Sequence, residues 1–179
     1  MFNKLFKSAD PDSLTDNFFK EIHKDWMLIT AGDSDHFNTM TASWGTMGIL
    51  WNKRIAICFI RPTRFTYQFA EKSPFFTLSF FDSEYQDALS FCGCNSGRNV
   101  DKIAATGLKP VETPDGNITF MQSRLVFECR KLYADMIRNE NFIDTGLVNL
   151  HYPRKDYHKF YIGEIEKCYK RISDNSLPA

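Results

Sequence analysis

One stretch of the chain carries hydroxyl side chains in an alternating pattern. In Thr39-Met-Thr-Ala-Ser-Trp44, every second residue is a threonine or serine, and methionine, alanine and tryptophan lie between them. Period-two alternation of this kind is typical of a strand with two different faces. A strand that only filled a core would favour branched and aromatic side chains, whereas Thr-Ala-Ser leaves room for a flat molecule against the backbone. The pattern predicts a ligand beside this strand, and a threonine-rich core strand is the alternative.

Two other stretches place basic side chains beside the start of a predicted helix. Arg61 and Arg64 lie three residues apart, with Thr66 close behind, where a strand is predicted to give way to a helix. Ser96-Gly-Arg98 comes shortly before another predicted helix, which contains Lys102. Backbone amides at helix starts can face an anion, and arginine adds charge-assisted hydrogen bonds. Both stretches are candidate anion sites; arginines flanking a turn and a capped helix with solvated charges remain the alternatives.

Cysteine and histidine give weaker signals for chemistry. Cys92 and Cys94 flank one glycine, but the usual redox spacing is C-x-x-C and no second pair follows, so no dithiol or metal role is assigned. His151 and His158 border a predicted loop, where a histidine beside a pocket could deliver a proton near neutral pH. Polar surface is the alternative for both histidines. No catalytic residue and no metal ligand is predicted.

These residues must be positioned by strands and helices that follow one another irregularly. Hydrophobic patterning predicts strands at 26–30, 38–51, 54–60, 75–81, 118–137 (with a break) and 158–170. It predicts helices at 14–22, 64–72 and 83–91, and a fourth that ends at Gly107, with Asp12 or Ser13 capping the first and Ser83 capping the third. Strands, then helices, then strands again indicate an antiparallel barrel or sandwich with helical insertions, because a parallel doubly wound sheet would alternate regularly.

Composition limits the kinds of protein that this chain can be. Its 179 residues are expected to form a single domain over 1–179, and 43% hydrophobic content with 17 Phe is enough for one core. The 22 basic and 22 acidic residues cancel, so no overall field attracts nucleic acid or an anionic membrane. No apolar run is long enough to span a membrane and no signal peptide is recognised, which predicts a cytoplasmic protein. The five cysteines are expected to be mostly free thiols.

Several motifs in one order resemble the flavin reductase-like, FMN-binding split-barrel family, in its flavoredoxin-like branch. The motifs are Met40-Thr-Ala-Ser-Trp-Gly45, Leu50-Trp51, Arg61-Pro-x-Arg-Phe-Thr66, Cys92-Gly-x-x-Ser-Gly-Arg98 and Tyr161-Ile-Gly-Glu164. The similarity covers about residues 20–170. It implies a mainly β, antiparallel Greek-key split barrel, a non-covalently bound FMN, and a homodimer whose interface helps to enclose the flavin.

The resemblance also implies a role for each candidate site residue. It assigns the FMN phosphate to Arg61 and Arg64, with Phe65 and Thr66 beside them, and the flavin ring to Thr41, Ala42, Ser43 and Trp44. Ser96, Gly97, Arg98 and Lys102 would complete the phosphate or ribityl site, from the same or the partner subunit. This branch often has Asp where Asn99 stands, so the local contacts there are expected to differ.

Two functions follow from the resemblance. In the first, the protein is an NAD(P)H-dependent oxidoreductase whose FMN passes electrons to a free flavin, a protein or a small acceptor. In the second, it is an FMN-binding electron carrier or flavin store with little turnover of its own. Related barrels that hold haem or pyridoxal phosphate form a weaker third class. The chain lacks G-x-G-x-x-G after a strand, so a reduced nicotinamide is expected to stack transiently on the flavin.

Overall fold

A computed structural model describes residues 1–172. It contains ten strands: β1 (Phe6–Ser8), β2 (Met27–Gly32), β3 (Phe37–Ala42), β4 (Gly45–Leu50), β5 (Lys53–Ile60), β6 (Phe75–Phe80), β7 (Pro110–Glu112), β8 (Ile118–Phe120), β9 (Leu125–Met136) and β10 (Lys159–Arg171). Seven strands form a continuous antiparallel path in the order β3-β2-β6-β9-β10-β5-β4, and β1 pairs with β10 beside it. The remaining pair, β7 and β8, forms a separate hairpin.

The sheet closes on itself at one short link. Strands β3 and β4 lie at opposite ends of the sheet order, yet only Ser43 and Trp44 separate them in the chain. The two edges of the curled sheet must therefore meet at these two residues. Strands β5 and β6 are consecutive in the chain but have β9 and β10 between them in the sheet, as in a Greek key. The predicted antiparallel Greek-key split barrel is confirmed.

The barrel interior is a continuous hydrophobic core. Alternate residues of the strands contribute to it, among them Ile29, Cys58, Leu78 and Phe127, each 1% exposed or less. Since successive side chains of a strand point to opposite faces, the residues between them face outward. The helix at Gln86–Cys94 covers Leu28, whereas β1 and the β7–β8 hairpin cover Val126 and Ser79.

Within residues 1–172, six helices accompany the strands. They are α1 (Phe2–Leu5), α2 (Phe18–Lys20, continued by a π-type turn at Glu21–Asp25), α3 (Thr66–Lys72), α4 (Gln86–Cys94), α5 (Lys102–Thr106) and α6 (Gly146–His151). Helix α5 ends at Gly107 with φ 69°, as predicted, because glycine adopts the left-handed conformation without strain. No helix among residues 1–172 has the length and apolar content needed to span a membrane.

Some predicted boundaries were wrong for identifiable reasons. The first predicted helix corresponds to α2, which begins at Phe18 rather than at Leu14. The reason is that Asn17 caps α2, while Asp10 caps a separate 3-10 turn at Pro11–Ser13. Ser83 begins a 3-10 turn instead of capping α4. The stretch 38–51 is two strands. Helix α6, which no pattern predicted, ends at His151, where the predicted loop begins. The single-domain prediction for 1–179 includes residues 173–179, which lie outside the described residues.

Candidate functional site

The hydroxyls of strand β3 are satisfied within the protein. Thr41 Oγ1 donates to the Leu89 carbonyl of α4, and the Thr39 hydroxyl bonds with Thr30 Oγ1 at 2.9 Å. Thr39 is 2% exposed. Small residues allow α4 to approach closely, because a Cβ at Gly93 would lie 3.3 Å from Thr41 Cβ. The alternating pattern was read correctly, but α4 packs on this face of the strand, so space for a ligand opens only towards the end of β3.

A cavity of about 290 Å³ opens where β3 ends. We call it the ring cavity; it is lined by Met40–Trp44, Phe59, Arg61, Arg64, Gly93 and His158. All four residues assigned to the flavin ring, Thr41 to Trp44, are in this lining. Ala42 is also buried in the barrel core, so it contributes a small fixed boundary to the cavity.

A second cavity of about 250 Å³ adjoins the first at Arg64. We call it the anion cavity; it is lined by Thr63–Thr66, Cys94–Ser96 and Lys102. The two segments that the sequence predicts as anion sites, 61–66 and 96–102, therefore meet across one small space. Arg64 lines both cavities.

Two cations of the anion cavity have no carboxylate partner. Within residues 1–172, neither Arg64 nor Lys102 forms a salt bridge. Lys102 is 5% exposed, and its ammonium donates only to the carbonyls of Thr39 (2.8 Å) and Cys92 (2.9 Å). Burial lowers the pKa of Arg64, and burial lowers the pKa of Lys102 to about 8. Buried positive charge of this kind favours an anion in the space between the two residues.

The turn 63–66 and the loop 96–98 are packed against each other. The Arg98 guanidinium lies 5.0 Å from the Phe65 ring centroid and donates to the Thr63 carbonyl at 3.2 Å. A Cβ at Gly97 would overlap the side-chain oxygen of Asn38, so glycine is needed for this approach. Asn38 in turn donates to Thr66 Oγ1 at 2.7 Å, which leaves the buried Thr66 hydroxyl hydrogen available. These contacts fix the walls of the anion cavity.

The start of α5 does not offer free amides. Asp101 caps the helix, and its carboxylate accepts from the backbone amides of Ile103 (2.9 Å) and Ala104 (3.0 Å). These two amides are therefore not available to an anion. The role of Ser96, Gly97 and Arg98 beside an anion stays a prediction. Only Lys102, whose side chain turns inward, contributes from this helix.

Arg61 has partners that Arg64 lacks. Its guanidinium pairs with the Asp156 carboxylate, donates to the His151 carbonyl at 2.9 Å, and lies 5.3 Å from the Tyr152 ring centroid. Arg61 lines the ring cavity but not the anion cavity. Its assignment to the phosphate stays a prediction, and the structure distinguishes it from Arg64 by these contacts.

His158 joins the ring cavity through a contact that sequence analysis missed. Its Nδ1 lies 2.9 Å from the Tyr152 hydroxyl, and its ring centroid is 5.0 Å from that of Trp44. Burial, with the nearby Arg61 charge, lowers the pKa of His158 to about 4, so the imidazole is neutral at physiological pH. His151 also contacts the Trp44 ring, edge-on at 5.2 Å. The order of the chain could not reveal this cluster, because α6 brings Tyr152 back across the strand ends.

The two cysteines of the C-x-C pair are in different environments. Cys92 is buried and Cys94 is exposed, and the five cysteines are all free thiols. Burial raises the pKa of Cys92, which keeps it a neutral thiol. Two residues apart on a helix, the two side chains point in different directions, and this arrangement does not favour a dithiol pair.

Comparison with known proteins agrees with this fold. The chain belongs to the flavin reductase like domain family, which matches residues 19–177. Among curated proteins, none matches the sequence closely enough to count as a relative.

Solved structures of the same fold share little sequence identity with the chain. Flavoredoxin of Desulfovibrio vulgaris (Miyazaki F) is 20% identical with a TM-score of 0.63, and the match covers 97% of this chain and 83% of that one. An FMN-binding protein from Thermus thermophilus is 19% identical (TM-score 0.65; 96% and 86%). A protein with a split barrel domain from Shewanella frigidimarina NCIMB 400 is 18% identical (TM-score 0.64; 90% and 74%). At these identities the likeness establishes the fold.

The residues present fit an FMN. The anion cavity supplies the partly buried Arg64 and the buried Lys102, neither with a carboxylate partner within residues 1–172, which suits a phosphate group of nearly two negative charges. The adjoining ring cavity has small residues at Thr41 to Ser43 and one aromatic wall at Trp44. The phosphate of FMN would therefore fit the anion cavity, and its flat ring would fit the adjoining ring cavity.

Proposed function

We propose that this protein is an FMN-dependent oxidoreductase that takes electrons from NAD(P)H and passes them to a second acceptor. The observation that carries the proposal is the pair formed by the partly buried Arg64 and the buried Lys102, which line one small cavity beside the ring cavity and have no carboxylate partner within residues 1–172. In proteins, a buried charge is normally paired, so this pair is best explained by an anionic ligand.

The binding roles follow from the two cavities. Arg64 and Lys102 would hold the phosphate with charge-assisted hydrogen bonds, and the Thr66 hydroxyl would add a donor. Thr41 to Trp44 would position the ring, and the rings of His151 and His158 contact Trp44. When bound, FMN supplies the chemistry of accepting a hydride from a nicotinamide and releasing electrons one or two at a time. The protein residues orient the reactants and tune the electrostatic environment.

The donor would have no dedicated nucleotide-binding site. The chain lacks the dinucleotide fingerprint, so the nicotinamide would stack on the exposed side of the flavin and leave before the acceptor enters. Steady-state kinetics with varied NAD(P)H and acceptor should give parallel lines. Intersecting lines would indicate a ternary complex and contradict this order.

We also infer a homodimer in the cytoplasm. Apolar side chains are exposed on two parts of the surface: Ile49 (71%) and Trp51 (56%) on the β4–β5 hairpin, and Ile143 (102%) and Leu150 (70%) around α6. Exposed apolar groups of this size favour burial against another chain. Five free thiols suit a reducing compartment. Sedimentation velocity should give the mass of two chains; a monomer with FMN fully bound would exclude a shared flavin site.

The alternative is an FMN-binding electron carrier or flavin store, and one experiment separates it from the enzyme. Purified protein reconstituted with FMN should show a bound-flavin visible spectrum, which NADH or NADPH should bleach rapidly without oxygen. Slow bleaching with intact binding would favour the carrier. Absence of flavin absorbance after reconstitution would overturn both functions.

A further inference from the structure

A third cavity, of about 460 Å³, shares a wall with the ring cavity. Ser43, Trp44 and Phe59 line both. We call the third cavity the apolar cavity. Its other lining residues are Phe18, Phe19, Ile22, His23 and Gly45–Met47. Its volume lies within the roughly 300–1,000 Å³ that is usual for small-molecule sites. A ligand there would lie next to the position proposed for the flavin ring, at the end opposite to the phosphate.

The two walls of the apolar cavity are held in place. One wall is strand β4, and the other is the N-terminal segment around α2. Arg124 anchors this segment through ion pairs with Asp16 (2.7 Å) and Glu21. Phe18 packs edge-on against Phe80 and Phe127 in the barrel core. The cavity is therefore preformed and does not require a loop to close.

Phe19 differs from its neighbour in a way that core packing does not explain. Phe18 is partly buried, whereas Phe19 is 92% exposed while lining the cavity. An exposed phenylalanine costs hydrophobic free energy unless something apolar covers it. Its position at the edge of the cavity gives an apolar ligand a ring to pack against.

The charge of the apolar cavity contrasts with that of the anion cavity. Among the described residues that line it, there is no lysine, arginine, aspartate or glutamate, and His23 is the only titratable side chain. A phosphate-bearing molecule, including a nicotinamide dinucleotide or a second flavin nucleotide, would lose its hydration there without gaining a counter-charge. The lining selects a neutral ligand.

A few polar groups are available for orienting such a ligand. Within residues 1–172, the side chains of Ser43, Thr46 and His23 line the cavity and take part in none of the side-chain hydrogen bonds of the protein. Hydroxyl and imidazole groups can donate to a carbonyl oxygen. An apolar, aromatic-lined space with a small number of free donors is the arrangement that binds a flat carbonyl compound.

We propose that the apolar cavity binds a neutral quinone-type acceptor, a planar ring with carbonyl oxygens. This proposal rests on the proposed function, because reduction of a quinone to its hydroquinone takes two electrons and two protons. Fully reduced FMN would supply the two electrons and the two protons and become oxidised FMN. NAD(P)H would then reduce the FMN again. The quinone carbonyls would accept from Ser43 and His23 while the ring packs between Trp44 and Phe19.

Duroquinone is the probe for this site, because its four methyl groups prevent addition to the exposed thiol of Cys94. Its affinity is measured by calorimetry on FMN-loaded protein and on the flavin-free protein. In Thr46→Phe, a larger side chain at an exposed position of β4 enters the cavity. Ser8→Phe is the matched control, since it places the same ring at an exposed strand position, in β1, outside the cavity. We expect Thr46→Phe to weaken duroquinone binding by at least about tenfold and Ser8→Phe by less than about twofold.

Ferricyanide turnover tests whether an effect is local, because this charged acceptor does not need an apolar cavity. Thr46→Phe should leave FMN affinity and ferricyanide turnover unchanged. Equal effects of the two variants on duroquinone would overturn the proposal. So would a fall of Thr46→Phe from dimer to monomer in sedimentation without loss of duroquinone affinity, since the cavity would then belong to an interface. If the protein fails to bind FMN, the proposed function fails, while duroquinone binding to the flavin-free protein still tests the cavity.

Discussion

Arg64 and Arg124 are both partly buried arginines, but their surroundings are opposite. Arg124 lies between Asp16 and Glu21, each 12% exposed at the side chain, and ties the N-terminal segment to the barrel. Burial lowers the pKa of Arg124, but its hydrogen bonds and ion pairs with these two carboxylates more than reverse this, so its pKa is raised. Arg64 has no such partner within residues 1–172, and burial lowers its pKa. Among the described residues, carboxylates balance the charge of Arg124, but no carboxylate balances the charge of Arg64.

This difference separates a structural cation from a binding cation. A buried charge without a partner costs stability, and a protein normally avoids it by pairing or neutralising the group. In the anion cavity, Arg64 and Lys102 both reduce stability in this way, and a bound anion would offset the loss. The comparison predicts that the two arginines respond to mutation in different measurements: ligand affinity for Arg64 and folding stability for Arg124.

The largest expected effect is on FMN affinity. Arg64→Ala should raise the Kd for FMN about ten- to a hundredfold, because one charge-assisted hydrogen bond contributes about 1.5–3 kcal/mol. Fluorescence titration of flavin-free protein measures it. Arg61→Ala is the matched control: Arg61 pairs with Asp156 and is absent from the anion cavity, so its Kd should change less. An equal or larger change in Arg61→Ala would reverse the assignment of the two arginines.

The next effect is on stability. Arg124→Ala leaves Glu21 poorly solvated and without its ion pair, and it leaves Asp16 with only the longer contact to Lys170 at 3.9 Å. The substitution should lower the free energy of unfolding by about 2 kcal/mol. Arg64→Ala should leave the unfolding free energy of the flavin-free protein unchanged or raise it. Urea denaturation of both variants gives the comparison. Destabilisation of the flavin-free protein by Arg64→Ala to the same extent would mean that Arg64 has a structural role.

The pH dependence of FMN binding tests Lys102. The pKa of Lys102 is about 8 in the flavin-free protein, and a bound phosphate dianion favours the charged form. Above about pH 8, binding must therefore take up a proton, and the Kd for FMN should rise by up to about tenfold per pH unit. Riboflavin, which lacks the phosphate, should show no such rise. Lys102→Gln should bind FMN more weakly and without this dependence; a wild-type Kd that stays flat from pH 7 to 10 would exclude the role.

The last expected effect concerns His158 and appears only in acid. Its folded pKa of about 4 lies below the ordinary value of 6.5, so the unfolded chain binds more protons between these limits. Stability from the neutral imidazole is complete above about pH 6.5 and is lost as the pH falls toward 4. His158→Gln should therefore lose less stability than the wild type between pH 7 and 4.5 in urea denaturation. Parallel pH curves for the two proteins would show that His158 is not buried as a neutral group.

Sequence patterns predicted most strands of the sheet, because alternation and short apolar runs are local signals. The order of the elements indicated an antiparallel barrel or sandwich, and the resemblance to a known family specified the split barrel. Sequence patterns also identified Gly107 as a helix end, since that signal is local. The pairing of Arg61 with Asp156 and the contact of Tyr152 with His158 depend on how distant segments cross. No spacing rule contains that information, so Arg61 and Arg64 looked equivalent in the sequence.

Burial of the site was the second feature that the sequence could not reveal. Lys102 reads as a solvated residue in the first turn of a short helix, yet its side chain reaches the carbonyls of β3 and α4. Likewise, the hydroxyls of β3 suggested an open surface, whereas α4 covers them. In both cases, the position of a helix against the sheet determines whether these side chains are buried. That position depends on contacts between distant parts of the chain, which local sequence patterns do not specify.

The central claim is that the anion cavity recognises the phosphate of FMN, and the affinity ratio of FMN to riboflavin tests it most directly. Titrations of flavin-free wild-type protein and of the Arg64→Ala/Lys102→Gln double variant should be compared at pH 7. We predict that the wild type binds FMN at least about tenfold more tightly than riboflavin and that the double variant binds the two with nearly equal affinity. A wild-type protein that does not distinguish the two flavins, or a double variant that keeps the full preference, would contradict the claim.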